Sequence, residues 1–143
     1  MNFRIKLLDK SMNEKYHNFL LNQEFSIIYY SNDFRILLEK YIGCKTYYSL
    51  AISDNEEIVG VFPLAISKSN KLGKVANSLP FYGSNGGVLL DEKLNLEQGN
   101  AVISLLNDYV LKLINNQKCI SSTFITNPFT ETVENWFESN LKY

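Results

Sequence analysis

The residues best suited to contact a ligand lie in one stretch, Ser78-Leu79-Pro80-Phe81-Tyr82-Gly83-Ser84-Asn85-Gly86-Gly87. Three glycines fall within five residues, beside an aromatic pair and a proline. Glycine is used where φ must be positive or where another group must approach the backbone closely. Loop residues carry function disproportionately, and the Tyr82 hydroxyl and the Asn85 amide are placed to reach a small molecule. Asn85 also suits a left-handed turn. The following Val88-Leu89-Leu90, ending at Asp91, reads as a strand. Phosphate-binding glycine loops open a helix, whose N-terminal N–H groups face the anion. A glycine segment feeding a strand is instead a pocket wall or a tight turn between core strands. Tyr82, Gly83, Ser84, Asn85, Gly86 and Gly87 are the candidate substrate-binding residues.

Other chemistry-bearing residues have plainer readings. His17 is the only histidine and sits in a helical segment far from the glycines. A Ser-His-Asp or Cys-His mechanism would have to use it; an exposed helical histidine is the simpler reading. Zinc sites need Cys and His at short spacings, and none occur, so no metal is expected. Cys44 and Cys119 form no C-x-x-C pair and read as free thiols. Asp54, Glu56 and Glu57 read as a solvated turn. Tyr29, Tyr30, Tyr47 and Tyr48 read first as packing residues. Lys68, Lys71 and Lys74, with Lys45 nearby, are either a charged edge that discourages strand pairing or a contact for an anionic acceptor. No residue is assigned as catalytic.

Composition bounds the function. The 143-residue chain is 45% apolar and 20% charged, ordinary for one globular domain. A formal net charge of −1 argues against a dedicated nucleic-acid surface, which needs a basic face. The N-terminal Met1-Asn2-Phe3-Arg4-Ile5-Lys6 is too broken by charge for a signal peptide, and no apolar run reaches the length of a membrane span. A cytoplasmic protein is expected.

The elements that would position these residues can be read from pattern. Phe3 to Leu8 alternates as a strand. Ser11-Met12-Asn13-Glu14 has the form of a capping box, opening a helix with Tyr16, Phe19 and Leu20 on one face. Phe25 to Tyr29 is β-like. Ser31 or Asn32 caps a second helix, stopped by Gly43. Tyr47 to Ser53 and Ile58 to Ile66 form a hairpin across Asp54-Asn55-Glu56-Glu57. Pro63 removes one backbone donor, which predicts an edge, a bulge or a strand end there. Leu72 to Leu79 is a third strand of this group. Asn95 and Gln98 cap a long helix with Val102, Leu105, Leu106, Tyr109, Val110 and Leu113 on one stripe. Cys119 to Thr126 is a strand, and Asn127-Pro128 starts a last helix.

The element order β-α-α-β-β-β-α-β-α resembles the GCN5-related N-acetyltransferase (GNAT) fold without its last two strands. That implies an α/β (α+β) architecture, a central, mostly antiparallel mixed sheet flanked by helices. Three segments resemble the N-terminal half of FemAB-like acyltransferases, which join two such domains in tandem. They are Ile28-Tyr29-Tyr30-Ser31-Asn32-Asp33-Phe34, Ile58-Val59-Gly60-Val61-Phe62-Pro63-Leu64, and Leu72-Gly73-Lys74-Val75 running into Ser78-Leu79-Pro80-Phe81 and Gly86-Gly87. The resemblance implies that residues 1–143 are one GNAT-like domain, the N-terminal half of a tandem enzyme. It implies acyl or aminoacyl transfer to an amine of a cell-envelope precursor or glycan, from an aminoacyl-tRNA or acyl-CoA-like donor held by a second domain. The family's coenzyme A pyrophosphate loop, R/Q-x-x-G-x-G/A, falls here on Asp91-Glu92-Lys93-Leu94-Asn95-Leu96-Glu97-Gln98, with no glycine and three acids. Carboxylates at a helix N-terminus compete with a bound anion, so no cofactor is expected on this chain alone. The alternative is a non-catalytic GNAT-like binding or interaction module. The expected partner, a second GNAT-like domain or a homodimer copy, would meet the Cys119–Thr126 edge.

Overall fold

A computed structural model describes residues 2–68, 73–79 and 85–127. Strand β1 (Phe3–Leu7) leads into a 3-10 turn, Lys10–Met12, and helix α1 (Asn13–Leu21). A second 3-10 turn, Ile28–Tyr30, precedes helix α2 (Asn32–Leu37), which widens into a π turn over Leu38–Ile42. Strands β2 (Lys45–Ser53), β3 (Ile58–Ile66), β4 (Lys74–Asn77) and β5 (Leu89–Leu90) follow. The long helix α3 (Leu96–Asn116) and strand β6 (Cys119–Thr123) complete the described chain.

The strands form one sheet in the order β1-β2-β3-β4-β6, with β5 also paired to β3. All pairings are antiparallel except β4 with β6, which is parallel. This is the mixed, mostly antiparallel sheet that the pattern predicts. Helices cover both faces because β2 alternates with period two. Tyr48, Leu50 and Ile52 point into a core with Tyr16, Phe19 and Leu20 of α1. Tyr47 and Ala51 point into a second core with Val102, Ile103, Leu106 and Val110 of α3. Strand β3 is buried at all nine positions, as a strand covered on both faces must be. Gly60 lets α3 approach: a Cβ there would lie 3.0 Å from Val102 Cγ1.

The fourth strand is broken. Ala65 pairs with Asn77 and Ile66 with Ala76. Continued without a break, that register would set Val61 opposite position 81, yet Val61 pairs with Leu89. The register of β5 on β3 is therefore offset from that of β4 by eight residues. The break faces Pro63. The Ser67 N–H donates to Val75 O on the β4 side at 2.9 Å. Backbone groups alternate sides along a strand, so the nitrogen of Pro63, four residues earlier, faces the same side. The residue that cannot donate thus sits where the neighbouring strand leaves the ladder.

Two local expectations fail. The Ser11–Glu14 capping box does not form. Asp9 caps the 3-10 turn instead, its carboxylate accepting from the Ser11 N–H (2.8 Å) and hydroxyl (2.5 Å), while α1 begins at Asn13 without a side-chain cap. These bonds hold the Asp9 carboxyl below the usual carboxylate range. The β-like run Phe25–Tyr29 is not a strand, because it has no ladder partner and its apolar residues do not alternate into one core. Ile28 is exposed while Tyr30 is buried. The other punctuation holds. The Ser31 hydroxyl accepts from the Phe34 N–H at 3.1 Å, and Gly43 ends the helix at φ +70°. Residues 128–143, where the last helix is expected, lie outside the described residues.

Asn107 is the conspicuous polar residue of the α3 core. It is 1% exposed, and neither its Oδ1 nor its Nδ2 is hydrogen-bonded within the protein. A buried polar group left unpaired costs about 1–3 kcal/mol. Asn107→Leu should therefore raise unfolding stability by about 1 kcal/mol in urea titration; a loss of that size would show that the amide is needed.

Candidate functional site

The segment between β4 and β5 is held near both of its ends. At its start, the Ser78 N–H donates to Thr123 O (3.0 Å). The Ser78 hydroxyl donates to Ile125 O (3.1 Å) and accepts from the Ile125 N–H (2.8 Å). Near its end, the Gly86 N–H donates to Ile125 O (2.9 Å), and Gly86 O accepts from the Tyr30 hydroxyl (3.0 Å). Tyr30 is fixed in turn, its carbonyl accepting from the Tyr16 hydroxyl at 2.7 Å. Asn127 closes the ring by donating to Phe25 O at 2.9 Å. Segments 25–30 and 123–127, with Ser78 and Gly86, thus form one seam beyond the β4–β6 pair. Burial pushes the Tyr16 and Tyr30 hydroxyls above the ordinary tyrosine range, so both stay protonated donors through neutral pH.

The described glycines serve this seam. A Cβ on Gly86 would lie 2.2 Å from Ser78 O, and one on Gly87, at φ +85°, 3.2 Å from Thr126 Cα. Both glycines are buried, and Asn85 is half-buried. Tyr82, Gly83 and Ser84 lie outside the described residues. Tyr30, taken from sequence as a packing residue, proves to be the anchor of the segment. The only local signal for it was a buried tyrosine's need of a hydroxyl partner.

A polar cleft of about 810 Å³ lies elsewhere, between α1, the β2–β3 turn and the segment before α3. Glu14 and Asn18 of α1, Asn55 and Glu57 of the turn, and Asp91 and Gln98 line it; Asn85, Gly86 and Gly87 do not. The turn acids are surface groups as expected. Glu56 pairs with Arg4 and, at 3.7 Å, with Lys6, while Lys15 lies 3.6 Å from Glu57. The Arg4 guanidinium lowers the Glu56 carboxyl below its usual range.

The segment before α3 is where an anion would need free N–H groups. Those of Glu92, Lys93, Leu94, Asn95, Gln98 and Gly99 are engaged by the chain itself, while those of Leu96 and Glu97, in the first turn of α3, have no partner among the described residues. The buried Gln23 accepts from the Glu92 N–H (3.1 Å) through its Oε1. Asp91 accepts from the Lys93 N–H (3.0 Å) through its side chain and from the Leu94 N–H (3.1 Å) through its carbonyl. Asn95 and Gln98 form a reciprocal capping box at 3.1 and 2.9 Å. The Asn95 carbonyl takes the Gly99 N–H at 2.8 Å. The Glu92 carboxylate reaches back to the Glu24 N–H. A pyrophosphate at this turn would find the Leu96 and Glu97 N–H groups open, but it would share the turn with the carboxylates of Asp91, Glu92 and Glu97 and compete with Gln23, Asp91 and Gln98 for the other amides.

The remaining candidates stay plain. His17 is exposed on α1. Cys44 is buried and Cys119 half-buried, both free, and burial raises both thiols. The lysines are dispersed: Lys45 lies over the Tyr47 ring, and Lys74 reaches Gln117 at 3.4 Å. Lys71 lies outside the described residues. Among the described residues no three His, Cys, Asp or Glu side chains gather to hold a metal, and no helix is long and apolar enough to cross a membrane.

No protein-family model and no curated protein matches the sequence. Solved structures do match in shape. The ribosomal-protein-alanine N-acetyltransferase of Brucella melitensis biovar Abortus 2308 superposes with a TM-score of 0.67 at 12% identity, covering 99% of this chain and 93% of its own. AAC(6')-Iy, in complex with the bisubstrate analog CoA-S-monomethyl-acetylneamine, gives 0.66 at 13%, covering 100% and 92%. An acetyltransferase of the GNAT family from Staphylococcus aureus Mu50 gives 0.59 at 16%, covering 97% and 83%. The chain has a GNAT-like fold.

The seam makes a graded prediction. Tyr30→Phe removes the donor to a buried carbonyl and should destabilise by about 1–3 kcal/mol. Gly86→Ala forces a Cβ into backbone and should cost at least as much. Urea titrations of both variants check this; an unchanged midpoint for Gly86→Ala would show that the glycine is not packed as described.

Proposed function

We propose that this chain is the acceptor-side domain of a FemAB-like acyltransferase. In that reaction an amine nitrogen of a cell-envelope precursor or glycan attacks the donor carbonyl. An N–C bond forms, the bond to the donor's carrier breaks, and the amine gives up a proton. Such chemistry depends mainly on positioning and on polarising the carbonyl. The GNAT-like fold supports the general class, and three segments support the family. The observation that carries the acceptor-side assignment is the largely self-bonded turn before α3. Its N–H groups at Glu92, Lys93, Leu94, Asn95, Gln98 and Gly99 are held by the chain's own oxygens. In this reading the acyl-CoA or aminoacyl-tRNA donor sits on a second GNAT-like domain, and residues 1–143 are the N-terminal half of the cytoplasmic enzyme. The loop around Tyr82, Gly83, Ser84 and Asn85 borders the acceptor, while Gly86 and Gly87 hold it in place.

A non-catalytic GNAT-like binding module is the second reading. It is favoured by the Ser78 and Tyr30 hydroxyls, which both bond within the seam rather than facing a substrate. The two readings agree on the donor and differ on turnover once a donor domain is added.

Isothermal titration of this chain with acetyl-coenzyme A should give no saturable heat. Micromolar binding would overturn the acceptor-side assignment and make the chain an independent acetyltransferase.

A further inference from the structure

The two outer strands of the sheet are built differently. Strand β1 carries Arg4 and Lys6, both exposed, and both pair with Glu56. A second copy laid against β1 would set like charges across the junction, the usual way an edge is kept from pairing. Strand β6, Cys119-Ile120-Ser121-Ser122-Thr123, carries no charge. Among the described residues it ends the strand order, and all four residues from Ile120 to Thr123 are exposed. Thr123 O accepts from the Ser78 N–H on the β4 side. Alternation along the strand therefore turns the backbone N–H and C=O of Ser122 outward.

We propose that β6 is a self-pairing edge, whose occupant is the β6 strand of a second copy laid antiparallel across a two-fold axis. A two-fold contact must be self-complementary, each residue meeting the partner surface of which it is also part. The β6 sequence meets that condition because hydroxyl residues face hydroxyl residues and no charges oppose. The β1 sequence fails it. The junction extends the sheet through backbone hydrogen bonds of Ser122, with the exposed Ile120 side chains adding apolar contact at its end. Five residues make a short ladder, so the association is concentration-dependent rather than obligate.

Sedimentation equilibrium of the chain over a hundredfold concentration range should show a monomer–dimer equilibrium. Ser122→Lys places two ammonium groups at the junction and should leave only monomer, while Ser122→Thr should keep the dimer. Circular dichroism confirms that each variant folds, as substitution at an exposed position should allow. The Ser122 amide should also exchange with deuterium more slowly at high protein concentration than at low. A monomer throughout, or a dimer indifferent to Ser122→Lys, would overturn the proposal. Either result would leave the acceptor-side reading untouched, since that reading is tested by donor binding.

Discussion

Pro63 cannot donate a hydrogen bond, and it lies in the most buried strand of the sheet. A proline in a central strand is tolerated only where the ladder does not need its nitrogen. Here the neighbouring strand supplies that condition by leaving β3 after Asn77 and returning at Leu89. The departure creates a segment whose own backbone groups lose their ladder partners. Buried backbone groups must find others, and they find them in residues 123–127 and in Tyr30. The seam is thus the consequence of an interrupted strand. The close packing at Gly86 and Gly87 follows because only residues without a Cβ allow backbone to meet backbone at those distances.

The same accounting governs the other end of the broken strand. After Leu90 the chain turns into α3, and a helix start leaves N–H groups without intrahelical partners. In this chain Gln23, Asp91, Asn95 and Gln98 take the N–H groups around that start other than those of Leu96 and Glu97. Gln23 matters most, because it ties the end of α1 to the segment before α3 and comes from a distant part of the chain. The result keeps the architecture while committing most of the donors around the helix start to the chain's own oxygens.

What could be read from sequence follows from the range of the interactions. The β2–β3 hairpin, the Asn95–Gln98 capping box, the Ser31 cap and the Gly43 stop depend on neighbours within a few residues, and pattern alone finds them. Pro63 announced a disturbance in the ladder but could not say that its neighbour would break. The seam was not legible, because Tyr30 meets Gly86 across 56 residues and Ser78 meets Ile125 across 47. Ser11 misled because a motif of the right spacing met a stronger local acceptor, Asp9, two residues earlier. Phe25–Tyr29 misled because β-branched and aromatic residues suit a strand only when another strand is there to pair. The glycine segment was correctly expected to feed a strand. Its two described glycines form the tight-turn half of the two readings, and the ligand-contact half rests on Tyr82, Gly83 and Ser84.

Six amides around the start of α3 are already engaged, and these can be watched one by one. A 15N–1H correlation titration with inorganic pyrophosphate, following Glu92, Lys93, Leu94, Asn95, Gln98 and Gly99, tests that engagement without reference to any reaction. These resonances should stay where they are while the ligand is raised to millimolar concentration. Saturable shifts confined to them would show an open anion cradle at the start of α3 and contradict that engagement.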